Sequence, residues 1–298
     1  MTPRMAYAAS SLSEHSMAPT PLDAGRRSDS QLRYLARFGP CAVVTGASSG
    51  IGRAFATELA ACGFDLVLVG RRKDVLDELA GSLTRSHGIK ASTLAIDLGE
   101  PGSSEAVLRA VADREVGLLV CSAGFGSSGS FIDGDLADEC AMVDVNCRFL
   151  MALTWHFARK FAAQRRGGIV LMSSLVGFQG VPRAANYAAT KAYVQTLAEG
   201  LHHELHPLGV SVIACAPGPI HSGFAARATM KMGMAQGPEV IPAPTLDALG
   251  KKLTVRPGWL AKLLEWSLKP LPRWGRVRMM GVVMAGMAQP AARQLRIS

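Results

Sequence analysis

The sequence predicts an α/β protein built on a single Rossmann-like, doubly wound parallel sheet with helices on both faces. Three observations carry that prediction. From residue 41 onward, short apolar runs alternate with amphipathic stretches of helical length, the pattern of successive βαβ units. The runs are continuous in Val, Ile and Leu rather than alternating with polar residues, as strands buried on both faces require. A glycine-rich turn closes the first run and opens the first amphipathic stretch.

Residues 1–35 are rich in Ser, Pro and Ala, lack apolar periodicity and read as a disordered leader. Arg4, Arg26 and Arg27 there are interleaved with Glu14, Asp23 and Asp29, which argues against a transit peptide. The catalytic domain is expected over residues 36–257. Its strands are predicted at Cys41–Thr45, Leu66–Gly70, Ala91–Ile96, Gly117–Cys121, Gly168–Ser173 and Val210–Cys215. Helices are predicted at Arg53–Cys62, Asp74–His87, Ser103–Arg114 and Asp138–Gln164. Residues 217–250 lose the periodicity, carry Gly, Pro and Met, and read as a mobile lid. A short strand near Leu253–Arg256 closes the sheet. Residues 258–298 form a basic helical extension that opens with a helix at Gly258–Leu268.

Composition narrows the function classes. At 298 residues and 49% hydrophobic, the chain can bury one large α/β core. Its six cysteines form no CxxC pair and no metal-ligand spacing, and no secretory signal precedes the domain, so a reducing cytoplasm is expected, without disulfides or metal. The net charge of +9 is concentrated at one end: Lys251–Ser298 holds ten Lys/Arg against one acid, Glu265. No nucleic-acid-binding motif accompanies that charge. With Trp259, Trp266 and Trp274 interleaved, the extension reads either as a helix in a membrane interface or as a helical pair packed on the body or across a subunit interface. His202-His203-Glu204-Leu205-His206 fails the zinc-protease spacing, because the residue four after His203 is Pro207.

Three constellations carry chemistry. In Thr45-Gly46-Ala47-Ser48-Ser49-Gly50-Ile51-Gly52, glycines allow close approach of the backbone to a pyrophosphate, whose charge meets the helix N-terminus. At the end of the second strand stand Arg71 and Arg72; a guanidinium there fits a 2′-phosphate, where a carboxylate would select the free ribose, so NADP(H) is the expected cofactor. Finally, Ser174 precedes Tyr187, and Lys191 follows one helical turn later on the same face. An ammonium beside a phenol is expected to lower the phenol's pKa and so tune a proton donor. Met230, Met232 and Met234 in the lid, with Phe224, Phe125 and Phe178, read either as an adaptable apolar substrate wall or as ordinary packing of the lid against the body.

The ordered set Thr45–Gly52, Asp97-Leu98, Ala123-Gly124, Asn146, Ser174, Tyr187, Lys191 and Pro217-Gly218 resembles the short-chain dehydrogenase/reductase family over roughly residues 38–257. The layout is similar to the branch that contains ketoacyl reductases and hydroxysteroid dehydrogenases. The resemblance implies an NADP(H)-dependent oxidoreductase acting on an apolar carbonyl substrate, and a homodimer or homotetramer formed through the helix that carries Tyr187. It implies that Asp97 and Leu98 hold the adenine and that Ala123 and Gly124 flank the cofactor. Ser174 would fix the substrate oxygen, Tyr187 would protonate it, Lys191 would bond the nicotinamide ribose, and Asn146 would hold a water in a proton relay. Pro217, Gly218, Ile220 and Ser222 would border the nicotinamide. Members usually carry Asn-Asn-Ala-Gly where this chain has Cys121-Ser122-Ala123-Gly124, and Ser122 reaches less far than Asn. A different class, a non-catalytic NADP(H)-sensing regulator on the same fold, tends to lose the Tyr or the Lys; both are present here.

Overall fold

Seven parallel strands form one sheet in the computed structural model, which describes residues 27–221, 223, 228, 234–268 and 270–287. The strands are β1 (Cys41–Thr45), β2 (Asp65–Gly70), β3 (Ala91–Ala95), β4 (Val116–Cys121), β5 (Gly167–Met172), β6 (Val210–Cys215) and β7 (Thr254–Val255). Their spatial order, β3-β2-β1-β4-β5-β6-β7, reverses direction between β1 and β4. At that switch point the loops leaving the two strands diverge and open a crevice at their carboxyl ends.

Successive residues of a strand point to opposite faces, so one apolar run feeds two cores. Ala42 and Val44 of β1 join Phe55, Leu59, Leu68 and Leu76 on one face. Cys41 and Val43 join Leu119, Leu153, Phe157 and Val194 on the other. Helices α2 (Gly50–Cys62) and α3 (Lys73–His87) cover the first face, whereas α4 (Ser103–Ala110), α6 (Leu150–Gln164) and α7 (Ala185–Leu205) cover the second. Helix α4 stops at Ala110, short of the expected Arg114. The long helix expected at Asp138–Gln164 is instead α5 (Leu136–Val143), a π-helical turn at Asp144–Phe149, and α6. Periodicity alone cannot register a single wide turn.

Two expected boundaries are corrected. Residues 1–26 of the leader lie outside the described residues, but helix α1 (Asp29–Phe38) begins inside the stretch expected to lack structure. Ser28 and Gln31 form a reciprocal capping box at its start. Tyr34 and Phe38, one turn apart, are buried against the first core, and Tyr34 Oη donates to Asp247 at 2.6 Å. The second correction concerns the expected lid. Helix α8 (Pro242–Ala248) lies within it, and Ile241, Leu246 and Leu249 are fully buried in the first core, so this part is body. Phe224, Met230, Met232 and Ser222 lie outside the described residues. The C-terminal extension contributes α9 (Trp259–Leu268) and α10 (Arg273–Met287); residues 288–298 are likewise outside the description.

Candidate active site

The crevice at the switch point widens into a cavity of about 1130 Å³. Its floor is the turn between β1 and α2. Gly46 takes φ +69°, and a Cβ on it would stand 2.8 Å from Ala123 Cα, so a side chain here would push the β4 loop away. Thr45 Oγ1 ties the two loops by accepting from Ala123 N–H at 3.2 Å. Ser49 occupies the N-cap of α2 without capping it through its side chain. The first-turn N–H groups of that helix have no intrahelical acceptors, and Ser49, Gly50, Ile51 and Gly52 all line the cavity. Orphan donors at the positive end of a helix dipole suit a phosphate.

Beyond the turn, the end of β2 adds positive charge. Arg72 Nη2 donates to Ser48 Oγ at 2.9 Å. Arg71 Nη1 lies 3.6 Å from Asp97 Oδ2, both half-exposed at the rim, and Asp97 Oδ1 accepts from Gly99 N–H at 2.9 Å. Ser48, Arg71 and Arg72 therefore converge on one corner, while Asp97 and Leu98 wall the space beside it. With the glycine turn and uncapped helix, this donor set fits an elongated anionic ligand of dinucleotide shape.

At the other end of the cavity, Ser174 and Tyr187 meet. Ser174 lies two residues beyond β5 and caps a short 3₁₀ turn, Leu175–Phe178, with its Oγ accepting from Val176 N–H at 3.4 Å. Gly177 lets that turn press onto α7, since a Cβ there would lie 2.7 Å from the Lys191 carbonyl oxygen. The Ser174 hydroxyl is thereby brought into hydrogen-bonding contact with the Tyr187 phenol. Lys191 is buried one turn further along α7, and its Nζ donates to Met172 O at 2.8 Å.

The expected electrostatic tuning is corrected here. Desolvation pushes the Tyr187 phenol up, to about 12, and the Ser174 hydrogen bond offsets part of that rise. Lys191 goes the other way, to about 8, because burial penalises its ammonium. Its Nζ is committed to the Met172 carbonyl and stands 5.8 Å from the Tyr187 ring centroid. Burial thus outweighs the attraction that the one-turn spacing suggested.

Asn146 sits in the π-helical turn and is fully buried behind the cavity wall. Its side chain clasps the β4 loop, accepting from Phe125 N–H at 3.1 Å and donating to Phe125 O at 2.8 Å and Thr190 Oγ1 at 3.1 Å. Ala123, Gly124, Pro217, Gly218 and Ile220 reach the cavity, as does Ser122. Leu175 N–H donates to Pro217 O at 3.2 Å, tying the loop after β6 to the Ser174 turn.

Among the described residues, the apolar wall only partly matches the one expected. Phe125 lines the cavity. Phe178 instead lies beneath the Arg256 guanidinium at 4.4 Å, and Met234 is exposed. The wall comes from the C-terminal helices: Leu264 and Leu268 of α9, and Met279, Met280, Val283 and Met284 of α10. Met284 and Met280 pack with Val181, Ala184, Ala188 and Tyr187 itself. Their spacing along α10 was the available signal, since 280 and 284 fall on one helix face.

Comparison with known proteins agrees with this geometry. Residues 40–233 match the family model described as short chain dehydrogenase. A 7beta-hydroxysteroid dehydrogenase of Clostridium sardiniense is 32% identical over 233 residues, 77% of this chain and 89% of the relative. A very-long-chain 3-oxoacyl-CoA reductase of Podospora anserina is 36% identical over 186 residues, 61% of this chain and 55% of that one. Among solved structures, a short-chain dehydrogenase from Sphingobium yanoikuyae in complex with NADPH superposes with a TM-score of 0.72 at 30% identity, covering 86% of this chain and 100% of the other.

Proposed function

The chain belongs to the short-chain dehydrogenase/reductase family, oxidoreductases of the CH–OH/C=O couple, and on that premise we propose that it reduces a bulky, lipophilic ketone with NADPH. One observation carries the reading: a single cavity joins the phosphate-suited turn, the arginine corner, the Ser174–Tyr187 pair and a wall of methionine and leucine. A small polar substrate would have no use for that wall. Steroid and long-chain 3-oxoacyl skeletons, the compounds named in the relatives above, have the size and apolarity to cover it.

The cofactor would lie with its pyrophosphate on the first turn of α2 and its 2′-phosphate against Ser48, Arg71 and Arg72. When bound there, it supplies a hydride to the carbonyl carbon. The remaining chemistry belongs to the protein. With its pKa near 12, Tyr187 keeps its proton at neutral pH and holds it at Oη for a ketone oxygen. Ser174, already bonded to that phenol, orients the same oxygen and stabilises charge developing on it. Lys191, near 8, is largely protonated at neutral pH and sets a buried cation one turn of α7 beyond Tyr187. Asn146 and Thr190 hold the β4 loop rigid beside it.

The test is the loss of NADPH absorbance with a panel of hydroxysteroid-type ketones, 3-oxoacyl thioesters and small polar aldehydes. Turnover of a bulky apolar ketone well above that of the small aldehydes is expected. NADPH binding without turnover on any member would favour the sensing regulator instead.

A further inference from the structure

The two C-terminal helices have one face in the cavity and another in solvent, and the solvent faces are unusual. On α9, Trp259, Leu263 and Trp266 recur at i, i+4 and i+7 and share a face. Trp259 is 58% and Trp266 74% exposed, although tryptophan is mostly buried in proteins. On α10, Trp274, Arg278 and Val282 recur at i, i+4 and i+8, with Trp274 72% and Val282 69% exposed. Lys262, Arg273 and Arg278 are exposed beside these apolar groups. From Lys251 onward the chain holds ten Lys/Arg and one acid, Glu265, and that acid is paired with Arg256 at 3.3 Å. The opposite faces, with Leu260, Leu264, Met280 and Met284, are those turned to the body and the cavity.

We propose that α9 and α10 form a docking surface for an anionic lipid bilayer, with the mouth of the cavity opening on it. Tryptophan has an amphipathic ring suited to the headgroup level, and cations interleaved with it match an anionic leaflet. A second copy of this chain is the poorer occupant, because two-fold pairing would set a strongly cationic surface against itself. Met279 and Val283 belong both to the cavity wall and to the outside, at 47% and 42% exposure, so the entrance lies on α10. No helix among the described residues is long and apolar enough to cross a membrane, so the contact is interfacial. Docking is independent of the reaction proposed above; only its use, delivering a lipophilic ketone from the bilayer, rests on that reading.

Co-sedimentation of the full chain tests the docking. The probes are vesicles of phosphatidylcholine alone and of phosphatidylcholine with an equal part of phosphatidylglycerol. Binding is expected to the anionic vesicles only, and to fall as salt rises from about 0.01 to about 1 M, where screening shortens from about 30 to about 3 Å. The pair Lys262→Glu and Arg278→Glu should weaken it at least about thirtyfold, at about 1 kcal/mol for each basic residue lost. The pair Trp266→Ser and Trp274→Ser should weaken it even at low salt. None of these four lines the cavity, and an unchanged thermal midpoint verifies that each variant is folded. No binding by the full chain, equal binding to neutral vesicles, or an unaffected charge-reversed variant would overturn the proposal. So would a concentration-dependent dimer that the Trp variants abolish. Each result is read without turnover, so it stands or falls separately from ketone reduction.

Discussion

Replacing Arg72 by Ala should erode the preference for NADPH over NADH proposed above. The guanidinium donates to Ser48 at the corner of the cavity, so its orientation is fixed before any ligand arrives. A charge-assisted hydrogen bond of this kind contributes about 1.5–3 kcal/mol, which is about 10- to 150-fold in affinity. NADH has no 2′-phosphate and should bind the variant almost as it binds the parent. Arg72 is exposed, so folding stability should change by less than about 0.5 kcal/mol. Arg71→Ala should act in the same direction, and its ion pair with Asp97 at 3.6 Å, half-exposed on both sides, contributes at most about 1 kcal/mol to stability. Arg71→Asp adds a carboxylate beside Asp97 and should reverse or abolish the preference. The assay is fluorescence titration of each protein with both cofactors. Parallel weakening of NADPH and NADH, or equal affinity for the two in the parent, would refute the arginine corner as a 2′-phosphate site.

Three further outcomes follow from the same geometry. Tyr34→Phe removes a 2.6 Å bond to a carboxylate and should lower unfolding stability by about 1.5–3 kcal/mol; a thermal midpoint equal to the parent's would mean α1 is not part of the domain. Lys191 has its pKa lowered from 10.5 to about 8 in the fold, so the penalty on its buried ammonium is complete below pH 8 and fades as pH rises toward 10.5. Relative to Lys191→Met, the parent should therefore gain stability over that window, approaching roughly 3 kcal/mol in denaturant titrations; a constant difference would contradict the burial argument. Met280→Trp narrows the cavity beside Tyr187 and should raise KM for bulky ketones while sparing small ones, and a uniform change across substrate sizes would count against the apolar wall.

The central strands were legible to within about a residue because both of their faces are buried, which leaves an unbroken apolar run such as Leu66–Gly70. The glycine turn and the order Ser174, Tyr187, Lys191 were legible because chemistry fixes residue type at fixed spacing, and all of these line one cavity. Helix α1 hid within a Ser- and Arg-rich stretch. Its signals, the Ser28–Gln31 capping box and Tyr34 one turn before Phe38, are local and were outweighed by composition. The segment around Ile241–Leu249 was misjudged because prolines and a short helix give no sustained period, yet its apolar side chains are core. The contribution of Met280 and Met284 was missed, since sequence cannot tell which Met-rich stretch packs over Tyr187, and Met230 and Met232 lie outside the described residues. The pKa directions were illegible for a related reason: spacing along α7 fixes proximity, whereas desolvation depends on everything packed around it.

The central claim is that Tyr187 gives the proton to the ketone oxygen, and Tyr187→Phe tests it most directly. The substitution removes one hydroxyl and leaves the ring packed among Val181, Ala184, Met280 and Met284. Single-turnover oxidation of bound NADPH, measured beside an NADPH titration of the same sample, should show the rate falling by about 100-fold or more with affinity nearly unchanged. A phenylalanine variant that turns over a bulky ketone at close to the parent rate would contradict the account.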